Sequence, residues 1–123
     1  MAHDDGERHI RMKRIEAIIR PERLEAVKES LAALGHAGLT VTEVKGHGIQ
    51  KGITQQWRGQ EYTIDLLPKV SVMAVVNDHE VADVIAAIEK AARTDRIGDG
   101  KIFVSPIEQV VRIRTGKSGT DAL

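Results

Sequence analysis

The stretch IIRPERLEAVKESL, residues 18–31, aligns without a gap on VVNDHEVADVIAAI, residues 75–88. Each copy begins with two β-branched residues, continues through a polar turn and ends in apolar residues at helical spacing. These apolar residues are Leu24, Val27 and Leu31 in the first copy and Val81, Val84 and Ile88 in the second. The repeat therefore predicts two strand–helix units of the same kind.

Further strands extend each unit into a βαβ pattern. Alternating or β-branched residues predict extended segments at 14–20, 39–44, 70–76, 101–104 and 110–114. Pro21 suits the first turn of one helix, Gly35 a left-handed cap at its end, and Asp78 the N-cap of the other helix. Two split βαβ units predict an α+β, ferredoxin-like domain, in which an antiparallel sheet carries both helices on one face.

The other face of that sheet has no predicted cover. In the segment 70–76, Val72, Ala74 and Val76 point to one side, and Met73 and Val75 point to the other. One set can pack on the helices, and the second set leaves an apolar patch larger than a monomer usually exposes. We therefore expect an oligomer with closed rotational symmetry, and the alternative is a solvated, uncovered sheet.

Composition limits the class of protein. The 123 residues fit one domain, 18 Lys and Arg balance 18 Asp and Glu, and there is no Cys. A neutral chain does not favour nucleic acid as a partner, and its short apolar runs do not predict a membrane span. We expect a soluble cytoplasmic protein with a disordered polar leader at 1–11, a domain at 12–116 and a tail at 117–123.

The segment 46–65 is where the sequence points to function. It contains two of the three aromatic residues, Trp57 and Tyr62, yet it shows neither helical nor strand periodicity. Long stretches without secondary structure are uncommon in compact domains and are usually functional or disordered. We therefore predict a functional loop at this position.

Three short segments are suited to binding an anion. GHGIQKG at 46–52 and the GDGK turn at 98–101 combine close backbone approach with a lysine, and VRIRT at 111–115 places Arg112 and Arg114 on one side. Each segment also fits an ordinary turn or a solvated surface. Together with Lys69 they indicate a local, nucleotide-sized anion site.

Catalytic patterns are weak by comparison. There is no Cys, no Ser lies in a nucleophile elbow, and the acidic residues lie mostly beside Lys and Arg on helix faces. A binding protein is therefore favoured over an enzyme. The alternatives are a small phosphotransfer enzyme that uses His47 or His79, and a trimeric metal-binding relative, for which the sequence shows no clustered ligands.

The motifs TVTEVKGHGIQKG, RGQEYTIDLLPKV, IGDGKIFV and VVRIRTG closely resemble those of the nitrogen-regulatory PII signal-transduction proteins. The resemblance runs without gaps over 12–116. It implies a homotrimer of ferredoxin-like subunits with a long T-loop, here 46–65, and a B-loop, here 94–101. It also implies a regulatory binding protein with, at most, weak incidental ATP hydrolysis.

The resemblance implies ATP or ADP in clefts between subunits, and 2-oxoglutarate bound together with magnesium and ATP. The implied nucleotide-binding residues are Thr40, Gly46, Gly48, Ile49, Gln50, Val75, Gly98, Asp99, Gly100, Lys101, Arg112 and Arg114. Those implied for 2-oxoglutarate are Gly48, Ile49, Gln50, Lys51, Gly52, Lys69 and Gly98. Gln50 is also the implied magnesium ligand.

The implied mechanism is a ligand-dependent change of T-loop conformation that an ammonium transporter, glutamine synthetase or another target reads. The protein would be cytoplasmic, and peripheral at the membrane when it binds a transporter. Arg58 matches the residue that plugs an ammonium channel, and Tyr62 matches a nucleotidylated tyrosine. Two positions depart from the pattern: Ile49 replaces a common basic residue, and Gln60 replaces the serine that cyanobacterial relatives phosphorylate.

Overall fold

The computed structural model describes residues 11–48, 55–57, 60–62 and 65–123. Its helices and strands follow the predicted order, βαβ twice with a loop between. They are β1 (Met12–Ile19), α1 (Leu24–Ala33), β2 (Thr40–Gly48), β3 (Gln55–Trp57), β4 (Gln60–Tyr62), β5 (Asp65–Asn77), α2 (Val81–Ala92) and β6 (Lys101–Ile107). Short 3-10 turns at Pro21–Arg23 and Asp78–Glu80 lead into the two helices, and a third lies at Gly119–Ala122.

The main sheet has the strand order β2-β5-β1-β6, and each neighbouring pair is antiparallel. On one face of the sheet, every second side chain of β1 and β5 belongs to a continuous core. The register of the two strands places their small and branched residues opposite each other. The aligned pairs on this face are Ile15 with Ala74, Ala17 with Val72 and Ile19 with Val70. Val27 and Leu31 of α1 and Val84 and Ile88 of α2 complete this core. The predicted α+β, ferredoxin-like fold is confirmed.

The end of α1 has the predicted glycine cap. Gly35 has a φ of +90°, in the left-handed region that glycine adopts without a steric cost. The Gly35 amide donates to the Ala32 carbonyl at 2.9 Å, and the His36 amide donates to the Leu31 carbonyl at 2.8 Å. These two bonds satisfy carbonyls that the last helical turn leaves without a partner. The cap turns the chain toward β2.

The second face of the sheet carries no helix in the described part of the chain, as predicted. Met73 and Val75 are partly buried there, but the face is not purely apolar. The Ser71 hydroxyl donates to Glu16 Oε2 at 2.7 Å, and Arg14 forms an ion pair with Glu16 Oε1 at 3.2 Å. The hydrogen bond from Ser71 holds the pKa of Glu16 below its ordinary 4.5, with Arg14 contributing. This open face therefore combines apolar side chains with a fixed charged group.

The segment 46–65 contains more strand than predicted. β2 and β5 extend into it until Gly48 pairs with Asp65, and Gln55 pairs with Tyr62 in the small β3–β4 sheet. The prediction of no secondary structure was wrong for these residues. An antiparallel ladder needs only backbone hydrogen bonds, so it can extend through a sequence without apolar alternation. Ile49, Gln50, Lys51, Gly52 and Arg58 lie outside the described residues, as does the predicted leader up to residue 10.

The predicted extended segment at 110–114 was wrong in large part. Only Val111 forms a bridge, to Ser118, and the chain turns back between them. The Gly116 amide donates to the Arg112 carbonyl at 2.8 Å, and Gly116 has a φ of +71°. A local turn closed by this glycine replaces the strand that the alternating sequence suggested. Among the described residues, no helix is long and apolar enough to cross a membrane.

Candidate functional site

A cavity of about 500 Å³ lies at one corner of the sheet, where the segment 94–101 lies against Ile18 of β1 and Lys69 of β5. The cavity is lined by Ile18, Gly46, Lys69, Arg96, Gly98, Asp99, Gly100, Lys101 and Phe103. Three cationic side chains and three glycines therefore surround one cavity.

The carboxylate of Asp99 organises the B-loop from within. It accepts hydrogen bonds from the Thr94 hydroxyl, the Thr94 amide at 2.8 Å and the Asp95 amide at 2.9 Å. The Thr94 hydroxyl and amide, with smaller contributions from Arg20 and the Asp95 amide, hold the pKa of Asp99 far below its ordinary 3.8. The Asp99 carboxylate is therefore ionised at neutral pH and bound within its own loop. The backbone of Asp99, and not its side chain, is suited to contact an anion.

Gly100 lets the B-loop cross closely over the end of β1. Its φ is +105°, and a Cβ added there would lie 1.7 Å from the Ile18 carbonyl oxygen. No side chain fits such a distance, so glycine is required on both conformational and steric grounds. The predicted tight GDG turn is confirmed by this position and by Gly98, whose φ is +100°.

Lys69 reaches the same loop from β5. Its side chain is buried, with 7% of the residue exposed, and its Nζ donates to the Gly98 carbonyl at 2.5 Å. Gly46 leaves room for it, because a Cβ at Gly46 would lie 3.3 Å from the Lys69 Cγ. A buried ammonium held beside a glycine turn is suited to a carboxylate or phosphate ligand. Lys101 at the start of β6 adds an exposed cation beside it.

Sequence reasoning missed Arg20 and Phe103. Arg20 forms an ion pair with Asp99 at 3.0 Å, and Phe103 lines the cavity with 52% of its surface exposed. The antiparallel pairing of β1 with β6, in which Ile18 lies opposite Lys101, brings Arg20 to the B-loop. That register is a tertiary feature, and nothing local in RPER marks Arg20 as a loop contact. For Phe103, its place beside the GDGK turn on a strand was a usable signal.

Other predicted residues lie away from this corner. Thr40 pairs with Met73 and Gly46 pairs with Leu67, so Thr40 is six residues, about 20 Å, from the B-loop end of β2. Val75 is near Thr40 on the open face. Arg112 donates to the Leu123 carbonyl at 2.8 Å in the C-terminal segment. Within the described part of the single chain, neither Arg112 nor Arg114 lines the cavity.

For two further predicted residues, Gly48 and Tyr62, the structure gives the position in a strand. Gly48 is the last residue of β2, and Tyr62 is the last residue of β4. The two histidines of the phosphotransfer alternative are far apart. His47 is in β2 opposite Leu66, and His79 is in the 3-10 turn that follows the other end of β5.

A second cavity, of about 370 Å³, lies on the helix side of the same strands. Its lining is mostly apolar, with Ile85, Ile88 and Ala92 of α2 facing Ile102 and Val104 of β6. It shares Ile18, Asp99, Gly100 and Lys101 with the corner cavity but lacks Lys69 and Gly98. The corner cavity therefore has the more cationic lining of the two, with Lys69, Arg96 and Lys101.

An antiparallel sheet with two helices on one face defines a ferredoxin-like α+β protein, and its sheet corner carries a cation-lined cavity beside the B-loop. The chain belongs to the nitrogen regulatory protein P-II family, whose model matches residues 12–117. It is 60% identical over 112 residues to the nitrogen regulatory protein P-II of Mesorhizobium japonicum. The matched region covers 91% of this chain and all of the relative.

Two further relatives cover the same share of the chain. The nitrogen regulatory protein P-II of Azospirillum brasilense is 58% identical over 112 residues and is covered completely. Nitrogen regulatory protein P-II 2 of Methanothermobacter thermautotrophicus is also 58% identical over 112 residues, with 97% of its length covered. These relatives are named as regulatory proteins, and the chain is accordingly a regulatory protein and not an enzyme.

Proposed function

We propose that this protein is a cytoplasmic sensor that binds ATP or ADP at the B-loop corner and reports 2-oxoglutarate through its T-loop. The observation that carries the proposal is the corner cavity, where Lys69, Lys101 and the Gly98–Gly100 turn converge. Cationic side chains beside a glycine turn match the charge and size of phosphate groups. Membership of the P-II family supports a regulatory use of that site.

The proposed nucleotide contacts form two groups of residues, one at the B-loop corner and one elsewhere in the chain. Gly98, Gly100 and Lys101 are suited to the phosphates, and Phe103 and Ile18 offer apolar surface for the base. Thr40 and Val75, also predicted as contacts, are at the far end of the strands and cannot reach the same ligand from the same chain. In the proposed site, a second copy of the chain would supply them, together with Arg112 and Arg114.

The proposed assembly is a homotrimer with one nucleotide cleft at each junction between subunits. The open face of the sheet supports this, because Met73, Val75 and the Arg14–Glu16 pair have no helix over them in the described part of the chain. Closed rotational symmetry would cover that face and complete every site at once. The same cleft would explain why the binding residues are divided between the two ends of β2 and β5.

The proposed effector is 2-oxoglutarate, whose distal carboxylate would bind the buried Lys69 ammonium. The other proposed contacts are in the T-loop base, at Gly48, Ile49, Gln50, Lys51 and Gly52, with Gly98 from the B-loop. Magnesium would be held through Gln50, with oxygens from the ligands themselves. The charge of Lys69 and its distance from the phosphate-binding turn fit a dicarboxylate that binds beside a nucleotide.

The output would be the conformation of the T-loop. Its base is continuous with β2 and β5, so a ligand at the corner can favour one loop arrangement over another. The proposed targets are an ammonium transporter, which would bring the protein to the membrane surface, and glutamine synthetase. Arg58 is the proposed transporter contact, and Tyr62 is the proposed site of nucleotidylation.

Isothermal titration calorimetry tests the sensing mechanism. We expect 2-oxoglutarate to bind the protein in the presence of magnesium and ATP, and to bind at least tenfold more weakly without them. Equal binding under both conditions would contradict the proposal, because a coupled site must show a difference in affinity. Titration with ADP in place of ATP provides the comparison for nucleotide specificity.

Lys69→Ala separates the two proposed ligands. The variant should lose measurable 2-oxoglutarate binding, since a buried charge-assisted contact is removed, while ADP affinity falls by less than about threefold. Lys45→Ala is the matched control, because Lys45 is an exposed lysine of β2 opposite Pro68, the residue next to Lys69. Equal loss of both ligands in Lys69→Ala would show that Lys69 does not have the role proposed for it.

A further inference from the structure

Arg20, the residue after β1, contacts the B-loop at two points. Its Nε donates to Asp99 Oδ1 at 3.0 Å, and its Nη2 donates to the Ile97 carbonyl at 2.7 Å. Only 18% of the Arg20 side chain is exposed. The rigid guanidinium presents donors at fixed angles, so two acceptors bound by it are also fixed relative to each other. Gly98 lies in the chain between these two acceptors.

The acceptor Asp99 is also the centre of the loop's own hydrogen bonding. It binds the amides of Thr94 and Asp95 and the Thr94 hydroxyl, which closes the B-loop on itself. Those bonds fix the shape of the loop but do not attach it to the sheet. The ion pair with Arg20 supplies that attachment to β1, and the Ile97 contact prevents rotation about it.

Lys69 contacts Gly98, the residue between the two acceptors of Arg20. Its Nζ donates to the Gly98 carbonyl, and a Cβ at Gly98 would lie 3.3 Å from Arg20 Nη2 and 3.6 Å from Lys69 Nζ. Both cations are therefore packed against one glycine. If the loop moved away from Arg20, the Gly98 carbonyl would move with it and the buried Lys69 would lose its partner.

We propose that Arg20 is a positioning residue that holds the B-loop, through Asp99 and Ile97, in the shape needed to bind an anion. Its donors toward the loop are occupied by protein acceptors, so it acts on the ligand through the loop. Preorganisation of this kind increases affinity because the ordering cost is met before the ligand arrives. The identity of the ligand rests on the proposed function, but the attachment itself is a property of the ligand-free protein.

Hydrogen exchange of the ligand-free protein tests the attachment directly. In Arg20→Gln we expect the amides of Thr94 and Asp95, which donate to Asp99, to exchange about tenfold faster, with the thermal unfolding midpoint nearly unchanged. Arg23→Gln is the control: Arg23 is three residues away and also binds backbone, with both Nε and Nη2 donating to the Ala91 carbonyl at the end of α2. Arg23→Gln should leave exchange of the Thr94 and Asp95 amides unchanged. Unchanged exchange in Arg20→Gln would overturn the proposal.

Calorimetry with ADP then tests the consequence for binding. We expect about tenfold weaker binding in Arg20→Gln, unchanged binding in Arg23→Gln, and an intermediate value in Arg20→Lys, whose single ammonium cannot span both acceptors. Full ADP affinity in Arg20→Lys with a fast-exchanging loop would overturn the proposal, because charge alone would then suffice. Full affinity in Arg20→Gln with a fast-exchanging loop would overturn it too.

The two proposals fail in different ways. If the wild-type protein binds no ADP, the proposed function is wrong, and the exchange comparison still decides whether Arg20 holds the loop. If Arg20→Gln does not fold, Arg20→Lys serves for both measurements. Loop exchange at the wild-type rate in Arg20→Lys would then overturn the proposal.

Discussion

At the residue scale, the corner site depends on positions where only one side chain is compatible with the backbone. Gly100 has no space for a Cβ, and Asp99 has four hydrogen-bond donors around one carboxylate. Both residues lie in the segment 93–100, which connects α2 to β6. Their requirements can be separated by substitution, because one is steric and the other is electrostatic.

Gly100→Ala should destabilise the protein more than Gly35→Ala. Both glycines have φ values near +100°, so an alanine is strained at either position by about 1–2 kcal/mol. Nothing lies within 4 Å of a Cβ at Gly35, whereas a Cβ at Gly100 meets the Ile18 carbonyl. Urea denaturation measures both free energies of unfolding. Equal losses in the two variants would mean that the B-loop can shift without cost.

Asp99→Asn should reduce stability in a pH-dependent way. The pKa of Asp99 is lowered on folding, so its ionised form contributes stability above its ordinary pKa of 3.8, and that contribution is lost as pH falls toward the lower, folded value. The difference in melting temperature between wild type and Asp99→Asn should therefore be largest near pH 7 and shrink below pH about 4. Thermal melts across that range check this. A difference that stays constant with pH would contradict it.

At the element scale, each helix is held by a narrow apolar stripe on the sheet. Leu31 of α1 is 1% exposed and lies in the core, and Leu34, three residues later, is 42% exposed just after the helix. The two leucines are at helical spacing, but only Leu31 lies inside the core. The glycine cap turns the chain at this point and leaves Leu34 outside the core.

Leu31→Ala should cost about 2–5 kcal/mol of unfolding free energy, because it leaves a cavity in a well-packed core. Leu34→Ala removes the same atoms from a largely exposed position and should cost about 0.5 kcal/mol. Urea denaturation of the two variants compares identical chemistry at different burial. A comparable cost at both positions would show that Leu34 is covered in the assembled protein.

At the scale of the whole molecule, the proposed binding residues fall into two groups on opposite ends of the sheet. Lys69, Gly98 and Lys101 are at the B-loop corner, and Thr40 and Val75 are at the other end of β2 and β5. A site complete within one chain would need these groups to meet, and the rigid strands keep them apart. Assembly is therefore part of the proposed function and not an addition to it.

Met73→Lys tests that dependence. Met73 lies on the open face opposite Glu16 and Thr40, so a charge there should disfavour an interface. We expect analytical ultracentrifugation to give about three times 13.5 kDa for the wild type and a lower mass for the variant, which should also bind ATP at least tenfold more weakly. Ala32→Lys, on the exposed side of α1, should change neither property. Undiminished assembly and ATP binding by Met73→Lys would contradict the shared site.

The sequence alone determined the local parts of this protein. Internal similarity between 18–31 and 75–88, the apolar spacing of both helices and the glycines of the GDG turn depend on neighbours a few residues apart, so local propensity was sufficient to predict them. The family motifs also identified Lys69, Gly98 and Lys101, which the fold brings together. The turn at 112–116 escaped prediction because alternation alone does not distinguish a strand from a short hairpin.

Only the tertiary structure decided what holds the site. The register of β1 with β6 brings Arg20 to Asp99, and the passage of Gly100 over Ile18 fixes how close the loop can come. The pairing of Gly48 with Asp65 extends the sheet into a stretch that shows no strand pattern. Contacts such as Arg20 with Asp99 and Gly100 with Ile18 join residues far apart in the sequence, so neighbouring residues in the chain do not reveal them.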